Sequence, residues 1–237
     1  MYGLKQAPRT WFSIIECYFQ KEGFTRSSHD YALFINKREG KSILVCLYVD
    51  DLIYTGNDED LCAKFKKSMN GEFEMTDLGK MRFFLGVEVS QNADGIQLCQ
   101  KKYAKEVLDR FQMWNCIVVK NPIVPRTVLS KESEEAINTT LYQQLVGSLM
   151  YLTVTRPDIM YVVCLISRYM ANPKAEHMQM AKRVLRYLKG TVNFSQLYRR
   201  KKCSKVLANI DSDNARDVVD TKSTPGYVFM LNDTTIC

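Results

Sequence analysis

Residues 42–54 are SILVCLYVDDLIY, an apolar, β-forming run broken by two adjacent carboxylates, Asp50 and Asp51. Burying an unpaired carboxylate costs several kcal/mol, of order 3 or more. An otherwise buried strand therefore accepts Asp50–Asp51 in few ways: a turn at the strand end, a basic partner, or a cation. Two readings stay open from this pattern alone. One is an exposed turn between two ordinary strands, since turns favour Asp. The other is a rigid strand–turn–strand tip whose carboxylates hold a hard divalent ion such as magnesium, which takes oxygen ligands.

The surrounding chain is long enough to give that hairpin a core. It has 237 residues, is 46% hydrophobic and 25% charged, and carries a net charge of +7. That composition excludes a disordered chain and fits one large domain or two small ones. The positive excess suits a polyanionic partner. The longest apolar run, residues 43–49, is too short to cross a bilayer, and the opening residues do not form a secretory signal. Eight cysteines are scattered without a Cys-x-x-Cys pair, and His29 and His177 are far apart. Zinc is not expected, and a reducing compartment is. Cys46, Cys99 and Cys164 sit among apolar neighbours and read as small core residues.

Periodicity gives the element order. Pro8 opens a helix with Trp11, Ile15, Tyr18 and Phe19 on one face, ended by Gly23. A strand is expected at 31–35, a polar turn at 37–40, and a strand at 42–49 apolar enough to be buried on both faces. Asp58 caps a helix with Leu61, Phe65 and Met69 inward, closed by Gly71. Strands follow at 81–89 and 96–99, with a turn at 92–95. Tyr103, Val107 and Phe111 mark another helix. Residues 117–138 lack a clear period and read as a linker. Three helices follow. Leu141, Leu145, Leu149 and Leu152 stripe the first. Pro157 opens the second, which carries Ile159, Val162, Val163 and Ile166. Asn172–Pro173 opens the third and Gly190 ends it. Lys182, Arg186 and Lys189 share a face of the third helix. They read as a solvated face or, with Arg199 to Lys202, as phosphate contacts. Two short strands end the chain.

Set in order, these segments resemble the Pol polyprotein of copia-type retrotransposons. Residues 1–11, MYGLKQAPRTW, are similar to that family's nucleotide- and template-side segment. LYVDDLIYTGND, residues 47–58, resembles the catalytic hairpin of its reverse transcriptase. DLGKMRFFLGVEV, residues 77–89, is similar to the primer-grip hairpin. LVGSLMYL, TRPDI, SRYM and RYLKGT, within 145–191, resemble the connection. DSDNARD and KSTPGYVFML, within 211–231, resemble the opening strands of ribonuclease H.

The resemblance implies an α+β fold: a partial reverse transcriptase palm and thumb-like region over 1–116, a linker and helical connection over 117–204, and a ribonuclease H-like start over 205–237. It implies an RNA-directed DNA polymerase using magnesium at Asp50 and Asp51 for two-metal nucleotidyl transfer. Gly3, Gln6, Ala7 and Pro8 match the nucleotide and template side. Phe84, Leu85 and Gly86 match the primer grip, and Asp211 the first ribonuclease H aspartate. Tyr48 and Val49 are expected to pack near the primer end. The implied partners are an RNA or DNA template–primer and deoxynucleotides, without a membrane. The implied location is cytoplasmic, in a virus-like particle, or nuclear.

The chain departs from the pattern around Asp211, where Asn214 stands for an aromatic residue and Arg216 for a glycine. The family's third polymerase aspartate comes from a strand before the first segment, and its remaining ribonuclease H carboxylates come after the last. The chain alone is therefore expected to be catalytically incomplete. A relic, a working piece of a longer polyprotein, and a noncatalytic basic nucleic-acid-binding module all remain open.

Overall fold

The structure is a computed structural model that describes residues 7–124, 127, 129, 137–200, 205–212 and 225–236. The chain divides into two compact units, Met1–Met81 and Arg82–Cys237.

The first unit is an antiparallel sheet with helices on one face. Its elements are α1 (Ala7–Lys21), β1 (Thr25–Arg26), β2 (Leu33–Arg38), β3 (Lys41–Tyr48), β4 (Asp51–Gly56) and α2 (Glu59–Glu72). The sheet order is β1-β2-β3-β4, with Phe34 opposite Val45 and Leu47 opposite Leu52. Ile15 and Phe19 of α1 and Phe65 and Met69 of α2 share one buried cluster with Phe34, Ile43, Val45 and Leu47. The Phe19 ring stands 4.9 Å from Phe34 and 5.3 Å from Phe24, so aromatic edges fill the space between helix and sheet. Asp58 caps α2 by accepting from the Leu61 amide at 2.8 Å.

Three expectations need correction here. β3 is not buried on both faces: Ile43, Val45 and Leu47 are, while Leu44 and Tyr48 are exposed. One helical layer covers one face, and a continuous apolar run cannot reveal that. β2 begins at Leu33 and runs through Lys37 and Arg38, with Tyr31 outside it and exposed beneath the Arg26 guanidinium at 4.8 Å. α2 passes through Gly71 to Glu72 before Phe73 caps it.

The second unit contains β5 (Phe83–Phe84), β6 (Val87–Gln91), β7 (Gly95–Cys99), α3 (Lys101–Arg110), α4 (Thr139–Leu152), α5 (Pro157–Ser167), α6 (Ala175–Gly190), β8 (Gln196–Arg199), β9 (Val206–Ser212), β10 (Pro225–Leu231) and β11 (Thr234–Thr235). The four helices bury one core containing Val107, Leu108, Leu145, Leu149, Ile159, Ile166, Val184 and Leu188. Two antiparallel sheets accompany it, in orders β5-β6-β7-β8 and β11-β10-β9.

The single strand that periodicity gave at 81–89 is a hairpin, the shape the family resemblance implied, folded back at Leu85–Gly86 between the pair Phe84↔Val87. Both turn residues have positive φ, 45° and 75°. Leu141 leaves the expected stripe and is exposed; Tyr142 replaces it, fully buried, with its hydroxyl donating to the Ile166 carbonyl at 2.7 Å. The expected linker is partly anchored. Leu129 is buried, and its carbonyl accepts from the Tyr169 hydroxyl at 3.1 Å. Cys46 and Cys99 are half-buried and Cys164 is exposed, so none of the three is a fully buried core residue. The described helices include none long and apolar enough to cross a membrane.

Candidate active site

Asp50 and Asp51 sit at the tip of the β3–β4 hairpin. Tyr48 pairs with Asp51, which leaves Val49 and Asp50 as a two-residue turn. Both aspartates, Val49 and Tyr48 are exposed. Strand alternation puts Asp51 and Tyr48 on the face shared with Leu44 and Cys46, away from the helices. Val49 has φ 55°. A β-branched residue is a genuine outlier there, at about 1–3 kcal/mol of strain. The hairpin thus presents Asp51 on the face away from the helices and Asp50 in the exposed two-residue turn, next to a strained tip.

Carboxylate oxygens suit a hard divalent cation in kind. In number they fall short, because no group of three His, Cys, Asp or Glu comes together among the described residues.

The other sequence candidates are distributed. Gly3 and Gln6 lie outside the described residues, and Ala7 and Pro8 form the first turn of α1. Phe84, Leu85 and Gly86 belong to the second unit, at the β5–β6 turn. Asp211 lies in β9 opposite Gly226, while Asn214 and Arg216 lie outside the described residues, as do Lys201 and Lys202. Of the basic face on α6, Arg186 donates to the Ile117 carbonyl and Lys189 to that of Cys116, each at 2.7 Å. Those two cations tether the segment after α3 and do not form an open phosphate-binding face. Lys182 stays exposed.

Sequence reasoning missed two features of the second unit. A cavity of about 940 Å³ is lined by Arg82, Lys101 and Lys102 with Phe83, Gln97 and Ser195. Its carboxylate, Glu88, accepts from the Lys102 amide at 2.7 Å and so caps α3. The signal was absent because Asn193 and Ser195, which close part of this wall just before β8, come from about a hundred residues further along the chain than Gln97 and Cys99.

The second is an ion pair between a buried guanidinium and a partly buried carboxylate. Arg156 holds Asp158 through two bonds, Nε to Oδ1 at 2.9 Å and Nη2 to Oδ2 at 2.7 Å. It also donates to the Thr191 carbonyl and hydroxyl, while the Tyr187 hydroxyl donates to Asp158. Burial pushes the Asp158 carboxyl up, but the Arg156 and Tyr187 bonds outweigh it and hold it below the ordinary carboxylate value. The sequence signal was an Arg directly before Pro157 and two positions before Asp158.

A helix-backed antiparallel sheet with two aspartates at a hairpin tip is the arrangement expected of a polymerase palm. Residues 1–125 match the family of reverse transcriptases (RNA-dependent DNA polymerases). Over 98% of its length the chain is 39% identical to the retrovirus-related Pol polyprotein from transposon RE1 of Arabidopsis thaliana and 35% identical to that from transposon TNT 1-94 of Nicotiana tabacum. It covers 16% and 18% of those two proteins. It is also 31% identical to a putative transposon Ty5-1 protein of Saccharomyces cerevisiae, covering 98% of this chain and 76% of that one. The chain belongs to the reverse transcriptase family, in its copia-type retrotransposon Pol branch. No solved structure matches it.

Proposed function

We propose that this chain carries part of an RNA-directed DNA polymerase site, with Asp50 and Asp51 as two of the metal-holding carboxylates. The observation that carries this reading is the hairpin itself: two exposed, adjacent aspartates at the tip of the β3–β4 hairpin of a four-stranded sheet. In nucleotidyl transfer the primer 3′ oxygen bonds to the α-phosphorus of a deoxynucleotide, and the bond to pyrophosphate breaks. Magnesium held at Asp50 and Asp51 would supply Lewis-acid stabilisation of the attacking and leaving oxygens. The residues themselves fix geometry. The β3–β4 pairing sets the spacing of the carboxylates, and Tyr48 and Val49 pack beside the primer end.

In the same reading, Gly3, Gln6, Ala7 and Pro8 line the nucleotide and template side, and Phe84, Leu85 and Gly86 contact the primer. Arg82, Lys101 and Lys102 around the second-unit cavity add backbone-phosphate contacts indifferent to sequence. Residues 205–237 open a ribonuclease H-like domain, with Asp211 as its first carboxylate. The three-part layout, 1–116, 117–204 and 205–237, follows from this assignment. Template–primer and deoxynucleotides are the partners, in the cytoplasm, a virus-like particle or the nucleus.

Among the described residues no third acid joins Asp50 and Asp51, and this reading needs one. Magnesium-dependent incorporation on a primed RNA template is therefore expected to be absent for the 237 residues and present when they are joined to an upstream segment supplying a third aspartate. In the joined protein Asp50→Asn should lower the rate by at least about 10²-fold, the scale of a misplaced reacting group. Robust incorporation by the chain alone would overturn its insufficiency. An active Asp50→Asn protein would overturn the site.

A further inference from the structure

The turn at Leu85–Gly86 is held in a conformation its own sequence does not favour. Leu85 has φ 45° and is exposed, so no burial of its side chain compensates the left-handed backbone. Support comes from α4. The Tyr151 hydroxyl donates to the Leu85 carbonyl, reaching across 66 positions of chain.

Gly86 makes that reach possible. A Cβ built there would run into the Tyr151 hydroxyl and stand 3.1 Å from its Cζ. Glycine is thus required twice: for its φ of 75° and for the space the phenol occupies. The Tyr151 ring is in turn fixed. Tyr103 of α3 packs against it edge-on, with centroids 4.8 Å apart and planes at 86°. The Gln100 side-chain amide donates to the Tyr151 carbonyl at 3.2 Å. The turn is therefore pinned to the helical core of its own unit by one aromatic side chain.

We propose that Tyr151 is a positioning residue for the primer end: by holding the Leu85 carbonyl it sets where the β5–β6 turn presents its backbone to the primer. This rests on the reading of Phe84, Leu85 and Gly86 as the primer contact. Tyr151 does not touch the reacting atoms; it acts through the turn.

The test uses the 237-residue chain with a primer–template whose 3′-terminal nucleotide is a photoreactive thionucleotide. Cross-linked peptides are mapped, overall affinity is measured, and amide hydrogen exchange is followed over residues 83–88. Three variants are compared with the unaltered chain. Tyr151→Phe removes only the hydroxyl. Gly86→Ala drives the phenol off the turn. Tyr103→Phe is the control: its hydroxyl lies 3.5 Å from the Ser148 carbonyl, and the edge contact survives its loss.

Cross-linking of the primer terminus to the turn should fall about fivefold in Tyr151→Phe, the shift that one hydrogen bond of ordinary worth sets, with exchange over the turn rising by a similar factor. Overall affinity should change little, because phosphate contacts elsewhere supply most of it. Gly86→Ala should repeat the effect, and Tyr103→Phe should not. A merely structural brace would loosen exchange without moving the cross-link. If the unaltered chain cross-links at the turn and Tyr151→Phe does so equally, the role of Tyr151 is overturned while the primer contact stands. If the unaltered chain does not cross-link there at all, the primer reading of the turn is overturned and the proposal with it.

Discussion

β3 has a two-residue turn at each end, and the two turns are built differently. At its start, Glu39 and Gly40 both have positive φ, 50° and 79°. This is the turn that matches the twist of a hairpin, with glycine where it costs least. At its end, Val49 takes φ 55° in the position where glycine is usual, followed by two carboxylates. The same strand is thus closed at one end by residues chosen for folding and at the other by residues that folding alone would reject. Strain and exposed charge gather at the end carrying the candidate chemistry, where a surrounding sheet over-determines them.

A second contrast lies between carboxylates. Asp50 and Asp51 are exposed, whereas Asp158 is clamped by Arg156, whose side chain is only 5% exposed. One set lies at an exposed hairpin tip; the other fastens α5 to the end of α6. Removing a charge should therefore matter for stability at Asp158 and for chemistry at Asp50. The largest expected stability effect is Asp158→Asn. It leaves a buried guanidinium without its counter-charge and should cost about 3 kcal/mol, the low end of the range for a broken buried pair because Asp158 keeps a third of its exposure.

The pH dependence has a definite sign. The Asp158 carboxyl lies below its ordinary value of 3.8 in the fold, so its contribution is fully present above that value and is lost as the pH falls through the folded value. Urea unfolding of the two proteins should differ by a constant amount near neutrality, and the gap should close under acid. A gap that widened on acidification would reject the assignment.

These contrasts show what the sequence could disclose. The four-residue spacing of Leu61, Phe65 and Met69, the Asp58 cap and the Pro157 start were legible because each is local: a helical period, a side chain three residues from its amide, a fixed φ. The Asp50–Asp51 tip was legible for the same reason, since two carboxylates can interrupt an apolar run in few ways. What was lost depends on distant chain. β8 pairs with β7, so nothing near Gly95 announces Arg199 as its partner. The fold-back at Leu85–Gly86 came only from the family resemblance and not from the local pattern, because Leu85 is a poor turn residue and what supports it, Tyr151, comes from a helix far along the chain. One-sided cover of β3 was hidden because apolar residues occupy both of its faces.

The turn contrast can be broken directly by exchanging its ends. Gly40→Val should cost about 2 kcal/mol, all of it backbone strain, because no atom lies within 4 Å of where its Cβ would stand. Val49→Gly should gain up to about 1 kcal/mol, as relief of strain is partly offset by glycine's greater chain entropy. Chemical denaturation of both variants checks the pair. Equal and small effects at the two ends would mean that the valine tip is not strained and that its composition needs another explanation.

The smallest expected effect is also the most discriminating. Asp50→Asn removes a charge from an exposed tip beside a second carboxylate, so stability should change by no more than about 0.5 kcal/mol, the range for surface substitutions away from packed features. Added magnesium sharpens the comparison. A cation held by both aspartates stabilises the folded chain by mass action, so any rise in midpoint with magnesium should shrink in Asp50→Asn. A chain whose midpoint rises equally with and without the Asp50 charge would place the cation elsewhere and leave the tip an ordinary exposed turn.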